Sequence, residues 1–307
     1  MVYDAAVVGA GMGGLTAAIY LSLAGLKVAV IESRYPGGQI AESAEVMNFP
    51  GFERIGGAEL SQRVAAQAKS CGAVILDGEV TSLEADGDVK RLIMQSGDVL
   101  ARGAVIAAGS QPRRAGFAGE AEFSGRGVSY CATCDAPFCR GKTVFVVGGG
   151  NAAAQGALYL ARFAERVIVL VRSGALRCDT ALSDKLKADG RIEVRFNSVI
   201  EEVGGSRRVD RAVICDKVSG AVEEVGGATG GISVFVFAGH TPASAPFASA
   251  VRVDGDGYIV TDEKLQTSAL GVFAAGDIVR KPLRQLVTAA ADGALAAVGL
   301  EKFLRLG

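Results

Sequence analysis

One pattern constrains this chain more than any other, and it occurs twice. Tyr3–Val8 is a short apolar run ending in Gly9-Ala10-Gly11-Met12-Gly13-Gly14. Leu15–Ala24 has helical character, Gly25 stops it, and Lys27–Ile31 is a second strand-type run closed by Glu32. Later, Thr143–Val147, the turn Gly148-Gly149-Gly150-Asn151, the helical stretch Ala152–Phe163 and the run Val167–Val171 repeat the design. Gly9 stands 23 positions before Glu32, and Gly148 stands 23 before Val171. Each copy reads as a βαβ unit, in which two parallel strands need a helical crossover. A third echo follows: Val105–Pro112 and Val234–Pro242 both read as apolar strands ending in Ala-Gly-x-x-Pro.

In Gly9-x-Gly11-x-x-Gly14 the first glycine permits a tight turn and the second lets a pyrophosphate approach the backbone. The third lets helix and strand pack closely, and the helix N-terminus offers positive dipole to phosphates. Glu32 lies where a carboxylate accepts from ribose hydroxyls. A bare glycine pattern also fits an ordinary turn; strand, helix and acid in register favour a dinucleotide. The second copy, Gly148-x-Gly150-x-x-Ala153, has Asn151 opening its helix and Val171 where the acid would be. Arg172 and Arg177 follow, and guanidinium groups at that edge suit a 2′-phosphate such as NADPH carries. The alternative is a pair of solvated surface arginines. Two dinucleotide sites imply two cofactors, one flavin and one nicotinamide.

The expected fold class is therefore α/β, with two Rossmann-like dinucleotide-binding domains, the second inserted into the first. The piece from about 246 to 307 contains Phe273-Ala-Ala-Gly-Asp277 and an apolar-faced helix from about Arg284 to Leu304. It is too small for a core of its own and should complete the first domain. The expected boundaries are 1–115 with 245–307, and 116–244. Gln111–Gly116 and Thr241–Pro246 would be the crossing linkers, both with proline, and two crossings allow a hinge.

Composition narrows the function. Lys and Arg total 32 against 33 Asp and Glu, so no field for nucleic acid or membrane is implied. The 42 glycines lack the collagen period and belong in turns and close approaches. The apolar N-terminus is interrupted by Asp4 and Lys27 and lacks a positive leader, so a signal peptide is not expected and a cytoplasmic location is. In a reducing compartment, closely spaced cysteines are more often catalytic or metal-binding than structural. Cys131-Ala132-Thr133-Cys134 is followed at once by Asp135. Two thiols at that spacing can close a disulfide, and a neighbouring carboxylate can carry a proton during exchange. Zinc is the rival use of such a pair, but it needs about four ligands. The chain has one histidine, His240, and no second cysteine pair, so no metal is expected. Cys139 lies near at irregular spacing. Cys71, Cys178 and Cys215 are expected to be buried small hydrophobes.

Over nearly its whole length the chain resembles the low-molecular-weight thioredoxin reductases of the flavoprotein disulfide reductase superfamily. The stretches that carry the resemblance are GAGMGG at 9–14, PGGQI at 36–40, NFPG at 48–51, CATCD at 131–135, GGGNAA at 148–153, AGHTP at 238–242, and GVFAAGD with RQLVTAAADG within 271–293. CATCD in the middle of the chain is the most diagnostic, since other disulfide reductases carry their cysteines near the N-terminus.

The resemblance implies FAD contacts at Gly9, Gly11, Gly14, Glu32, Gln39, Asn48, Gly109, Asp277, Arg284 and Gln285. It implies NADPH, with NADH as the alternative donor, at Gly148, Gly150, Asn151, Ala153, Arg172 and Arg177. It makes Cys134 the flavin-side thiol, Cys131 the thiol that attacks the partner, and Asp135 the acid/base. The partner would be thioredoxin or a thioredoxin-like protein, with a peroxiredoxin-linked acceptor as the alternative. Gly125, Arg126 and Phe138 match positions near the partner surface. A homodimer and rotation of the inserted domain are also implied. Three departures bear on this. Val171-Arg172-Ser173 stands where the family has His-Arg-Arg, Pro137 and Cys139 replace aromatic residues beside the dithiol, and Ala136 replaces a glycine.

Overall fold

The computed structural model describes residues 1–43, 45–226 and 231–306. In chain order its first strands are β1 (Val2–Val8), β2 (Val28–Glu32), β3 (Val74–Asp77), β4 (Val80–Glu84), β5 (Lys90–Met94), β6 (Val99–Ile106) and β7 (Ser110–Pro112). Next come β8 (Val128–Ser129), β9 (Thr143–Val147), β10 (Arg166–Val171), β11 (Ile192–Phe196), β12 (Ser198–Gly204) and β13 (Arg211–Asp216). The last are β14 (Val222–Gly226), β15 (Ile232–Val236), β16 (His240–Pro242) and β17 (Val272–Ala274). The helices are α1 (Met12–Leu23), α2 (Gly57–Ser70), α3 (Ala132–Asp135), α4 (Asn151–Leu160), α5 (Thr180–Ala188) and α6 (Leu286–Leu306). Among the described residues no helix is long and apolar enough to cross a membrane.

The chain packs as two compact units, Met1–Gln111 with Thr241–Gly307, and Pro112–His240. The first holds a seven-stranded sheet in the order β3-β2-β1-β6-β5-β4, with β17 also on β6. β6 is long enough to serve two neighbours on one edge. Its first residues pair antiparallel with β5 and its last, Ala104–Ile106, pair parallel with β17. The C-terminal piece thus enters the first unit's sheet. The second unit holds a five-stranded parallel sheet, β11-β10-β9-β15-β8, and an antiparallel sheet, β12-β13-β14.

Alternation builds two cores per unit, because successive side chains of a strand point to opposite faces. Ala5, Val7, Val28, Val30 and Val105 join one core with α1 and α6, while Ala6, Val8, Ala29, Ile31 and Ile106 join the core on the other face. In the second unit Val144, Val146, Val167 and Val169 face α4, and Phe145, Ile168, Leu170 and Val234 face the opposite side. Both faces being covered, the strands read as unbroken apolar runs.

Three expectations need correction. The α1 helix starts at Met12, directly after Gly11, so Gly13 and Gly14 lie inside the helix and not ahead of it. There the helix meets α6 closely: a Cβ on Gly293 would stand 2.1 Å from the Gly13 carbonyl oxygen, and one on Gly13 3.1 Å from the Ala289 carbonyl oxygen. The strands ending in Ala-Gly-x-x-Pro do not run through to the proline. Gly109 and Gly239 adopt φ of +74° and +97°, which breaks the chain into separate short strands, β7 and β16, that pair with each other. Cys71, Cys178 and Cys215 are half-buried; of the free cysteines only Cys139 is buried. Cys71 sits at the end of α2 and Cys215 in the small antiparallel sheet, where one side of the chain meets solvent.

Candidate functional site

In the first unit the glycine turn is closed by its own acid. Gly9 takes φ of +97°, and a Cβ there would lie 2.5 Å from the Ala107 carbonyl oxygen. A Cβ on Gly14 would lie 1.9 Å from the Gly9 carbonyl oxygen, so helix and strand meet only because that position is glycine. Gly11, by contrast, has nothing within 4 Å of a Cβ and presents an open backbone. Glu32 accepts from Ala10 N at 2.7 Å through Oε2 and from Arg34 N at 3.0 Å through Oε1.

The other candidate residues gather around this turn. Gly37 donates to Ala10 O at 2.7 Å and bridges Gly11. Gln39 Nε2 donates to the carbonyl of Ser110, the neighbour of Gly109. Asn48 Nδ2 donates to Gln285 Oε1 at 2.8 Å, which ties the 48–51 stretch to the start of α6. Gly276 lies against Gly13 and donates to Asp292 Oδ2 at 3.0 Å, and Lys281 also binds that carboxylate oxygen. The Arg284 and Arg280 guanidinium groups lie 4.9 and 5.1 Å from the centre of the Tyr258 ring. Asp277 Oδ1 and Arg284 Nε are buried with no hydrogen-bond partner among the described residues, as is the Ser110 hydroxyl. Burial pushes the Asp277 carboxyl above the usual range, against the pull of Lys281 and Arg284. Buried polar atoms are as a rule paired, so two orphans of opposite character beside a glycine turn mark a place built to receive a polar ligand.

The second unit repeats the turn with different chemistry. Gly148 has φ of +146°, a Cβ on it would stand 3.1 Å from that of Ala153, and Gly150 is open. Val171 packs on Gly149, where a Cβ would find Val171 Cγ1 at 2.9 Å, so the position of the missing acid is a buried contact. Arg177 N donates to Gly149 O at 2.7 Å. Arg172 and Arg177 are exposed and have no hydrogen bond or ion pair from their side chains among the described residues. Ser173 Oγ donates back to Ala175 O at 3.1 Å.

Cys131 and Cys134 form a disulfide, with Cα atoms 5.4 Å apart across the first turn of α3. Cys134 N donates to Cys131 Sγ at 3.2 Å, and Thr133 Oγ1 lies 3.4 Å from the same sulfur. Asp135 is partly buried; desolvation raises its pKa while a hydrogen bond from Ser129 opposes the rise. Ser129 Oγ also accepts from Cys131 N at 3.1 Å. Just upstream, the Tyr130 hydroxyl donates to buried Glu120 at 2.9 Å, and that carboxylate also takes the amides of Ala115 and Gly116. One of the departures has a packing reason: Cys139 is buried in the core against α4, where a bulky aromatic ring would force rearrangement. Ala136 is buried in the same cluster, and nothing in the structure explains why it replaces a glycine. Burial pushes the Cys139 thiol up to about 11.

The family described as pyridine nucleotide-disulphide oxidoreductase matches residues 3–293. The chain belongs to this family. It is 41% identical over 306 residues to a thioredoxin reductase of Peptoclostridium acidaminophilum, covering 99% of this chain and 97% of the relative. It is 40% identical over 304 residues to a thioredoxin reductase of Listeria monocytogenes, covering 99% and 94%. The crystal structure of thioredoxin reductase from Streptococcus pyogenes superposes with a TM-score of 0.93 at 34% identity, covering 100% and 99% of the two chains. Thioredoxin reductase from Giardia duodenalis gives 0.91 at 32% identity, covering 99% of each. The fold is thus that of a two-domain pyridine nucleotide-disulphide oxidoreductase.

Sequence reasoning missed several residues that build these sites. Asp292 lies inside the RQLVTAAADG stretch without standing out there; its signal would have been an acid on an otherwise apolar helix face. Glu120, Tyr258 and Asp179 carry no local signal, since each acts on a residue distant in sequence or through a loop.

Proposed function

We propose that this family member is a thioredoxin-disulfide reductase that draws electrons from NADPH and passes them, by way of FAD and the Cys131–Cys134 disulfide, to oxidised thioredoxin. The observation that carries the reading is the coexistence in one chain of two open glycine turns and a CxxC disulfide followed by a carboxyl of raised pKa. The residues of the first unit fit FAD. Gly9, Gly11 and Gly14 leave a pyrophosphate path at the α1 N-terminus. Glu32, with both oxygens already oriented by backbone amides, has lone pairs left for ribose hydroxyls. Gln39, Asn48, Gly109 and Gln285 border the same turn, and the orphaned Asp277 Oδ1 and Arg284 Nε gain partners. When bound, the flavin supplies a two-electron relay between nicotinamide and disulfide. Gly148, Gly150, Asn151 and Ala153 would hold the donor's pyrophosphate, and Arg172 and Arg177 its 2′-phosphate.

The dithiol chemistry follows from the α3 turn. Two electrons and two protons convert the Cys131–Cys134 disulfide to a dithiol. The Cys131 sulfur, which keeps the Cys134 amide and Thr133 hydroxyl beside it, is stabilised as thiolate and attacks a disulfide sulfur of thioredoxin. The mixed disulfide is broken by Cys134, which re-forms the bond to Cys131 and releases thioredoxin as its dithiol. Asp135, with its raised pKa, takes the Cys134 proton or returns it. Following the resemblance, we place the enzyme in the cytoplasm as a homodimer. The test is optical. Purified protein should be yellow, bleach anaerobically with NADPH, and regain colour on addition of oxidised thioredoxin. Protein that stays yellow with NADPH and NADH, or stays bleached with thioredoxin, overturns the reading.

A further inference from the structure

The two arginines of the second unit stand on an exposed stretch, and a long cationic side chain loses rotamer entropy when a ligand fixes it. The stretch is tied at three points: Asn197 N donates to Ser173 O at 3.2 Å, Arg177 N donates to Gly149 O at 2.7 Å, and Asp179 bonds Asn151. The Asp179 amide donates to Asn151 Oδ1 at 2.8 Å, and Asn151 Nδ2 donates back to Asp179 Oδ2 at 3.1 Å. The reciprocal bonds fix the orientation of the Asn151 amide, because an amide N–H can only meet the oxygen. Asp179 occupies the N-cap position of α5, where an aspartate ordinarily accepts from the helix's own first amides. Here its side chain makes no capping bond. The carboxylate instead crosses to the first residue of α4. With Arg177 N on Gly149 O, the loop bearing Arg172 and Arg177 is stitched to the glycine turn at 177 and again at 179.

We propose that Asp179 is a positioning residue for the donor site: bonded to Asn151, it sets Arg172 and Arg177 at the distance from the glycine turn that a ribose 2′-phosphate requires, and thereby sets the preference for a phosphorylated over an unphosphorylated nicotinamide cofactor. This rests on the donor reading above. Its charge also matters. Asp179 carries its negative charge two residues beyond Arg177, so it holds the loop while opposing the phosphate it helps to place.

The experiment titrates the flavin-loaded full chain calorimetrically with 2′-phospho-AMP and, separately, with AMP, and measures kcat/KM for NADPH and NADH. Asp179→Ser keeps an N-cap-type residue at the start of α5 and the backbone amide that meets Asn151 Oδ1, but its side chain is too short to reach Asn151 Nδ2. It should weaken 2′-phospho-AMP about tenfold, the order of one hydrogen bond to a charged group, and AMP less than about twofold. Asp179→Asn keeps an oxygen for Asn151 and removes the charge, so it should bind 2′-phospho-AMP at least as well as the parent protein. If Asp179→Ser leaves 2′-phospho-AMP unchanged, or weakens AMP in parallel, the positioning role is wrong. If the parent protein binds 2′-phospho-AMP no better than AMP and Arg172→Ala changes neither, the donor reading itself has failed and the role of Asp179 falls with it. When the parent protein discriminates between the two nucleotides and an Arg172→Ala variant does not, the donor reading stands, and the Asp179 variants then test the positioning role alone.

Discussion

Glu32 Oε2 accepts the Ala10 amide at 2.7 Å, so the acid at the end of β2 is bonded to the glycine turn at the end of β1. The carboxylate is oriented before any ligand arrives, and its second oxygen takes the Arg34 amide. Glu32→Ala therefore removes two charge-assisted bonds within the protein as well as the proposed ribose contact. Hydrogen bonds to charged groups contribute about 1.5–3 kcal/mol each. The variant is expected to purify with less than half the parent's flavin, read from the ratio of visible to ultraviolet absorbance, and to melt lower. Full flavin occupancy would remove Glu32 from the site.

Cys131→Ser and Cys134→Ser should each retain FAD and be reduced by the donor, yet turn over oxidised thioredoxin at under about a thousandth of the parent rate, since neither lone thiol can complete the exchange. Anaerobic donor titration checks the first half and insulin-coupled thioredoxin turnover the second. Parent-like turnover in either variant contradicts the assignment.

Asp135 is expected to leave a signature in stability against pH. Burial raises its pKa in the folded chain above the unfolded value of about 3.9. Between those two values the folded state binds the extra proton, so stability falls as pH rises through that window. Asp135→Asn lacks the titration. Thermal melts should show the variant more stable than the parent at neutral pH and the gap closing below about pH 4. Thioredoxin turnover should drop by roughly a hundredfold, the scale of general acid–base catalysis. Melting curves that run parallel across the pH range would rule out a desolvated, proton-holding Asp135.

Arg172→Ala should raise the KM for NADPH roughly ten- to a hundredfold and leave NADH nearly unchanged, because only a charge-assisted phosphate contact is lost. With Ser173 bonded to Ala175 and not free to replace a third arginine, the parent preference for NADPH should be moderate. Steady-state kinetics with both donors decide it; a parent enzyme that prefers NADH, or a variant that loses both donors equally, makes the two arginines ordinary surface residues.

Gly293→Ala tests the helix crossing. The added Cβ would meet the Gly13 carbonyl oxygen at 2.1 Å and force α6 away from α1. Overpacking of this kind typically costs about 1–3 kcal/mol. Because Asp292 next to it holds the Gly276 amide, the same change should lower flavin content. A denaturant midpoint equal to the parent's would show that the helices can separate without loss.

The two glycine turns, the βαβ units and the CxxC-Asp stretch were legible in the sequence because each depends on residues within a few positions of one another. A turn that needs positive φ, a helix that starts beside a strand end, and two thiols one turn apart are local facts. The apolar strands were legible for a related reason, since burial on both faces leaves no polar alternation to confuse the period. What the tertiary structure decided were pairings of distant positions: Asn48 with Gln285, Asp292 with Gly276, Asp179 with Asn151. Hydrogen bonds of a few ångströms between residues far apart in the chain leave no periodic trace in the sequence, because any of several polar residues could stand at either end. The half-burial of Cys71, Cys178 and Cys215 belongs to the same class, since exposure depends on what the rest of the chain lays over a residue and not on its neighbours in sequence.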